Sequence, residues 1–200
     1  YISGHPLDDY SQTMDRYCKA NIDDVRNNLI GFKDQQITFA GMITESAQKI
    51  TKTGDPFGTF TIEDFSGNIN LVLFKESYLK KKHMLDVGNN IFITARIEER
   101  HYQPGSLQIK ILDIFLLSET MEKLAKAITI DIDVLDISDE ISEELIGLTK
   151  SHLGNTPIHI RLTDSENNMS IKLKSGSAKV DPRLFIKAIS NNENFRYSIV

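Results

Sequence analysis

Tryptophan is absent from this 200-residue sequence, and cysteine occurs once, at Cys18. A single thiol excludes an intramolecular disulfide and any cysteine-cluster metal site, and it agrees with a reducing cytoplasm. No apolar run reaches membrane-spanning length, and no signal peptide opens the chain. The first residue is Tyr1 rather than methionine, as expected of a piece excised from something longer. A net positive charge is also missing. The formal charge is −5, awkward for a dedicated nucleic-acid binder, so its distribution matters more than its sum. Residues 36–118 hold nine Lys/Arg and nine Asp/Glu. Residues 1–35 hold four against six, and residues 119–200 ten against thirteen. The middle of the chain is therefore the least acidic part, and any phosphate contact there is expected to be weak and salt-sensitive.

What is present is an ordinary globular composition, 40% hydrophobic and 26% charged, long enough for two small domains. Gln36 to Ile50 alternates Ile37, Phe39, Gly41 and Ile43 against more polar neighbours. A polar break at Lys52–Pro56 leads into Phe57 to Glu63, where Phe60 and Ile62 share a side. Ser66-Gly67-Asn68 reads as a tight turn into Ile69 to Phe74, predicting a hairpin. Lys75 to Leu85 is helix-permissive, and two more strands follow, Ile91 to Glu99 and Leu107 to Phe115. Three strands, a helix and two strands is the order of an OB-fold, a closed five-stranded Greek-key barrel.

Before it, residues 1–35 read as an entry arm packed on the barrel, with a helix near Leu7 to Ala20. His5, beside Pro6 in a turn, is expected to hydrogen-bond locally, and Cys18 to be a buried small residue. After it, residues 119–200 change period. Thr120 to Ala127 reads as a short linking helix. Ile128, Ile130, Ile132 and Val134 alternate with Thr129, Asp131 and Asp133 as a half-buried strand. Ser138 caps a helix with the stripe Ile141, Leu145 and Leu148, stopped by Gly154. A hairpin, Ile158 to Leu162 and Ser170 to Leu173, precedes a helix from Pro182 to Ile189 and a last strand through Phe195, Tyr197 and Ile199. Strand, helix, strand, strand, helix, strand predicts a ferredoxin-like α+β domain. Its acidic helix start, with Asp131 and Asp133, predicts a carboxylate-rich surface that repels DNA and suits a protein partner.

The barrel's outer face holds the candidate binding residues. Thr59 and Thr61 face away from Phe60 and Ile62, Arg96 and Arg100 alternate against Ile93, Ala95 and Ile97, and Lys110 sits between Ile109 and Ile111. The first loop brings Lys49 and Lys52, with Phe57 at its far end; the last brings His101 and Tyr102, closed by Pro104-Gly105. Cations for phosphates and aromatic rings for bases suit an extended single strand. The alternative is a solvated face whose charges serve solubility.

Other motifs point away from chemistry. Asp131-Ile132-Asp133 could in principle hold magnesium for phosphoryl transfer, but strict alternation already accounts for both carboxylates. Lys80-Lys81-Lys82 on a helix points in three directions and makes no single patch. Gln35-Gln36-Ile37-Thr38-Phe39 has the look of a clamp-docking peptide, yet it runs into the first barrel strand, where Phe39 is core. No Ser/His/Asp or Cys/His arrangement has workable spacing.

Ile2-Ser3-Gly4-His5-Pro6-Leu7-Asp8-Asp9-Tyr10 resembles the segment leading out of the polymerase core in the alpha subunit of bacterial DNA polymerase III. Ala40-Gly41-Met42-Ile43, Thr51-Lys52-Thr53-Gly54, Thr61 to Ile69 and Val72-Leu73-Phe74 are similar to that family's barrel, and the likeness continues to the C-terminus. The resemblance implies a non-catalytic piece of a DNA-directed DNA polymerase. The barrel would contact single-stranded template, and the last domain would help bind the clamp-loader tau subunit and the rest of the holoenzyme. Cofactors would be absent, magnesium belonging to the parent's polymerase core. Two alternatives stay open. One is a tRNA-synthetase anticodon-binding barrel, which requires a catalytic domain where only about 80 residues follow. The other is a pure protein-interaction scaffold.

Overall fold

The computed structural model describes residues 4–100, 102–190, 192 and 195–200. Two compact units divide between Thr120 and Met121. The first is built on β1 (Gln36–Ile50), β2 (Pro56–Glu63), β3 (Asn68–Phe74), β4 (Asn90–Arg100) and β5 (Gln103–Leu116), in the antiparallel order β3-β2-β1-β4-β5. The predicted strands are therefore present, each within a few residues of its expected ends. The helical insert is also present, as α3 (Lys75–Lys81) and a 3-10 turn over Lys82–Met84.

β1 serves two partners. Its first half pairs with β4, from Gln36↔Arg96 to Met42↔Asn90. Its second half pairs with β2, from Met42↔Glu63 to Ile50↔Pro56. A bulge between Ile43 and Glu45 bends it from one ladder into the other. The ladder is open between its edge strands β3 and β5 among the described residues, so the sheet is a partly open barrel rather than the closed one predicted. Ile37, Phe39, Ile43, Phe60, Ile62, Leu71, Leu73, Ile91, Ile93, Ala95 and Ile97 fill its interior.

The entry arm closes this barrel in two ways. The helix expected from Leu7 to Ala20 is shorter and is followed by a second: α1 (Ser11–Tyr17) and α2 (Ile22–Asn27). Ile22 and Val25 of α2 belong to the barrel core. Leu7 instead joins Ala40, Phe92, Phe115 and Leu117 on the outside of the sheet, with Tyr10, Met14 and Tyr17 packed over them. That cover explains why Ile91, Phe92 and Ile93 are all buried although neighbours on a strand point to opposite faces. His5 accepts from the Leu7 N–H at 3.2 Å, the local bond expected of it. Cys18 is partly buried; burial, with Asp64 and Asp15 nearby, pushes its thiol up to about 12, so it stays neutral and unreactive.

The second unit places β6 (Ile128–Asp133), α5 (Asp139–Ser151), β7 (Leu153–Asp164), β8 (Met169–Val180), α6 (Pro182–Ile189) and β9 (Arg196–Ile199) in the predicted sequence of elements. A short helix, α4 (Thr120–Leu124), precedes them. The sheet order is β8-β7-β6-β9, with β6 and β7 adjacent and parallel. This corrects the ferredoxin-like expectation, in which a strand separates the parallel pair. β8 cannot take such a central place: Ser170, Lys172, Lys174, Ser175 and Ser177 leave it exposed along nearly its whole length, and it lies at the edge. Gly154, expected to stop α5, instead sits within β7. A Cβ there would lie 2.2 Å from the Asp181 nitrogen, so only glycine permits the close approach of the β8–α6 junction. α5 and α6 cover one sheet face through Leu145, Phe185, Ile186 and Ile189 against Ile128, Ile130, Ile132 and Ile158. No helix among the described residues is long and apolar enough to cross a membrane.

Candidate nucleic-acid interface

The predicted binding residues fall into two groups at opposite ends of β1. Past Ile50 lies the β1–β2 tip, with Lys52 exposed. Lys49 stands within β1 rather than in the loop and is the Cα partner of Phe57. Phe57 in turn faces Phe74 on β3. Their rings stack with centroids 5.5 Å apart and an interplanar angle of 24°, and Phe74 is 55% exposed. Lys49, Phe57 and Phe74 thus form one row across three strands, an open aromatic platform with a cation beside it. Thr59 and Thr61 continue the outward side of β2. Thr59 lies between Ala47 and Val72, and Thr61 between Glu45 and Asn70. The Thr61 hydroxyl donates to Glu45 at 3.2 Å and accepts from the Asn70 amide at 3.2 Å.

Gly58, on the inward side of β2, allows the Tyr78 ring of α3 to lie against the strand; a Cβ would meet that ring at 2.4 Å. The Tyr78 hydroxyl donates to Gln48 at 3.2 Å, tying α3 back to the end of β1. These contacts hold the strands beneath the platform. At the β1–β2 tip, Lys75 pairs with Asp55 at 3.4 Å, and Gly54 takes a positive φ of 86° that suits glycine.

Past Gln36, at the other end, Arg96 and Lys110 are Cα partners across β4 and β5. Lys110 is held by Glu98 at 3.3 Å, while Lys33 is held by Glu99 at 2.6 Å. The Glu99 carboxylate raises the Lys33 pKa above its ordinary value. Arg96 and Arg100 are exposed and have no carboxylate partner among the described residues. Tyr102 is fully exposed at the β4–β5 tip. His101 lies outside the described residues. Pro104 and Gly105, expected to close this loop, stand in β5 itself.

Phe74 is the platform residue that sequence reasoning missed. A signal existed: counting outward from the Ser66-Gly67 turn places Phe74 opposite Phe57. The rejected motifs behave as expected. Lys81 turns to Asp113 at 2.6 Å and Lys80 to Glu76 at 3.5 Å, so the lysine run makes no patch. Phe39 is fully buried within β1. Asp131 pairs with Arg161 at 3.1 Å, and Asp133 accepts from Ser165 at 2.6 Å and from the Leu135 N–H at 3.0 Å. Those bonds from Ser165 and Leu135 hold the Asp133 carboxyl below its usual range.

Residues 37–117 match the model of the OB-fold nucleic acid binding domain, and residues 128–200 match that of the DNA polymerase III alpha subunit, C-terminal domain. Curated relatives agree along both units. The chain is 29% identical over 181 residues to the DNA polymerase III subunit alpha of Borreliella burgdorferi, covering 88% of this chain and 15% of that protein. It is 25% identical over 166 residues to the Pseudomonas fluorescens subunit (83% and 14%) and 24% over 162 to that of Escherichia coli (80% and 14%). The chain therefore spans about a seventh of these relatives. An asparaginyl-tRNA synthetase from Pyrococcus horikoshii is similar at 14% identity over 43% of this chain and 20% of that one. Its TM-score of 0.31 decides nothing between the alternative readings.

Proposed function

We propose, from the premise that this chain corresponds to the C-terminal region of a DNA polymerase III alpha subunit, that its barrel binds single-stranded DNA and its last domain binds the clamp-loader tau subunit. The observation carrying the first half is the Lys49–Phe57–Phe74 row, since a base can stack on the ring while the ammonium meets a phosphate. Arg96, Arg100 and Tyr102 stand on the other hairpin, toward the opposite end of β1, and extend the contact for a long strand. In this reading the piece positions template and partners in the cytoplasm, while polymerisation and its magnesium belong elsewhere in the parent polymerase. The near-zero charge of the barrel makes the binding modest.

Lys52→Glu and Arg100→Glu are each expected to weaken binding of a labelled single strand several-fold at low salt, by loss of a phosphate contact. Tyr102→Ala is expected to weaken it by about 1–3 kcal/mol if a base stacks there. Fluorescence anisotropy against oligonucleotides of both forms is the measurement. Equal affinity for duplex and single strand, unmoved by these substitutions, would refute a barrel-face site.

For the partner, the helix side of the second unit offers what a protein contact needs. Glu140, Glu143 and Glu144 supply charge for orientation, and the exposed Ile137 (49%) and Ile146 (53%) supply apolar anchors. Removing residues 121–200 is expected to reduce tau capture in a pull-down while the barrel's own share of single-strand binding, the part sensitive to Lys52→Glu and Tyr102→Ala, remains. Full tau capture by the folded barrel alone would overturn this division.

A further inference from the structure

The sheet of the second unit has one face under α5 and α6 and another that bears polar groups only. Register places Arg196 of β9, Asp131 of β6, Arg161 of β7 and Lys172 of β8 in one transverse row. In the neighbouring row, His159 is the partner of Lys174. Adjacent strands are roughly 4.8 Å apart, so the row spans about 14 Å. Arg196, Lys172 and Lys174 are exposed, and the Arg161 side chain is 39% exposed. Of the carboxylates on this face, Asp131 is taken by Arg161, and Asp133 is tied to Ser165 and Leu135 at its far end. Burial and then the ammonium groups of Lys172 and Lys174 hold the His159 pKa below its ordinary value. Asp136 joins Asp131 and Asp133 in the cleft beside Arg161 and Arg196, so the basic part of this face is its β7–β8 half, where Lys172 and Lys174 have no carboxylate partner among the described residues.

We propose that this sheet face is a second binding surface for a nucleic-acid backbone, contacting phosphates through Arg161, Arg196, Lys172 and Lys174. Charge selects an anionic ligand, and the rest of the face selects its kind. Across its β7–β8 half the face carries hydroxyls, at Thr163 and Ser170, and no exposed apolar side chain stands among Arg161, Lys172 and Lys174; Leu135, 71% exposed, lies at the other end with Asp133 and Asp136. Protein interfaces need an apolar centre, whereas phosphates are contacted by Arg, Lys, Ser and Thr alone. No Phe, Tyr or Trp stands on this face among the described residues, and His159 is only partly exposed with its Nδ1 buried, so the face grips backbone and reads no base. It is a different surface from the barrel platform and works whether or not that platform binds.

The test uses the full chain and a labelled mixed-sequence single strand, with affinity measured by anisotropy across a salt series. Lys172→Glu with Lys174→Glu is expected to weaken binding about tenfold at low salt. The slope of log affinity against log salt should fall by about 1.4, two phosphates at ~0.7 each. The same deficit is expected when Phe57 and Phe74 are already alanine, which separates this surface from the barrel. Circular dichroism checks the fold, and Lys172→Gln with Lys174→Gln should give a smaller loss in the same direction. An unchanged affinity and slope would overturn the proposal. So would a variant that lost binding only to a glutamate-rich peptide, which would make the face a protein-docking surface.

Discussion

Converting Phe57 and Phe74 together to alanine is expected to lower single-strand affinity by about 10- to 100-fold, on the order of 1–3 kcal/mol for one stacked base. Both rings project outward from β2 and β3, and Phe74 is more than half exposed. Their loss therefore costs the barrel little apolar burial, and a changed affinity reports on the site rather than on unfolding. Lys49→Gln in the same background should add little, because its phosphate contact depends on a strand already held on the rings. Anisotropy with the double variant, beside a melting curve, is the check. A folded double variant that binds as tightly as the parent would remove the platform as the site and leave only the flanking cations.

Asp64→Ala is expected to destabilise the first unit by about 3 kcal/mol, lowering its melting temperature by about 10 °C. Asp64 is 6% exposed, at the turn between β2 and β3. One carboxylate oxygen accepts from the Ser66 N–H at 2.7 Å, the Ser66 hydroxyl at 2.6 Å and the Gly67 N–H at 3.1 Å. The other accepts from the Ile22 N–H at 2.9 Å, at the start of α2. One side chain therefore shapes the hairpin and fastens the arm to it. Without it, the Ile22 N–H beside a fully buried side chain loses its acceptor, and an unmet buried donor costs about 1–3 kcal/mol. Asp64→Asn keeps an acceptor for the turn and should cost less than alanine. A thermal melt that shifted by under 2 °C on alanine substitution would show that the arm is held by Ile22 and Val25 packing alone.

How much of this was legible beforehand differs between the two units. In the barrel, alternation and turn chemistry located every strand, because Ile37, Phe39, Phe60, Ile62, Ile91 and Ile93 face a single interior. The place of Lys49 was not legible. Simple alternation puts it on the side of Ile43, and the bulge at Thr44 moves it outward to meet Phe57. The second arm helix escaped notice because Ile22–Asn27 is only six residues with two buried apolar side chains, Ile22 and Val25, and its capping box, Asn21 with Asp24, adds no periodicity.

The sequence by itself determined the order of the elements, the two cores and the absence of disulfide chemistry, since these depend on local propensity and on which residues avoid water. Only the tertiary structure decided which distant residues share a face. Glu140, Glu143 and Glu144 are neighbours along the chain, so an acidic surface could be read directly. Arg161, Lys172, Lys174 and Arg196 are spread over 36 positions, and no local pattern joins them. The exposed β8 goes to the sheet edge and β6 lies beside β7 in parallel, and those pairings bring the four cations onto one side. Strand order is set by non-local burial rather than by any single segment, and with it the charge that the second unit presents.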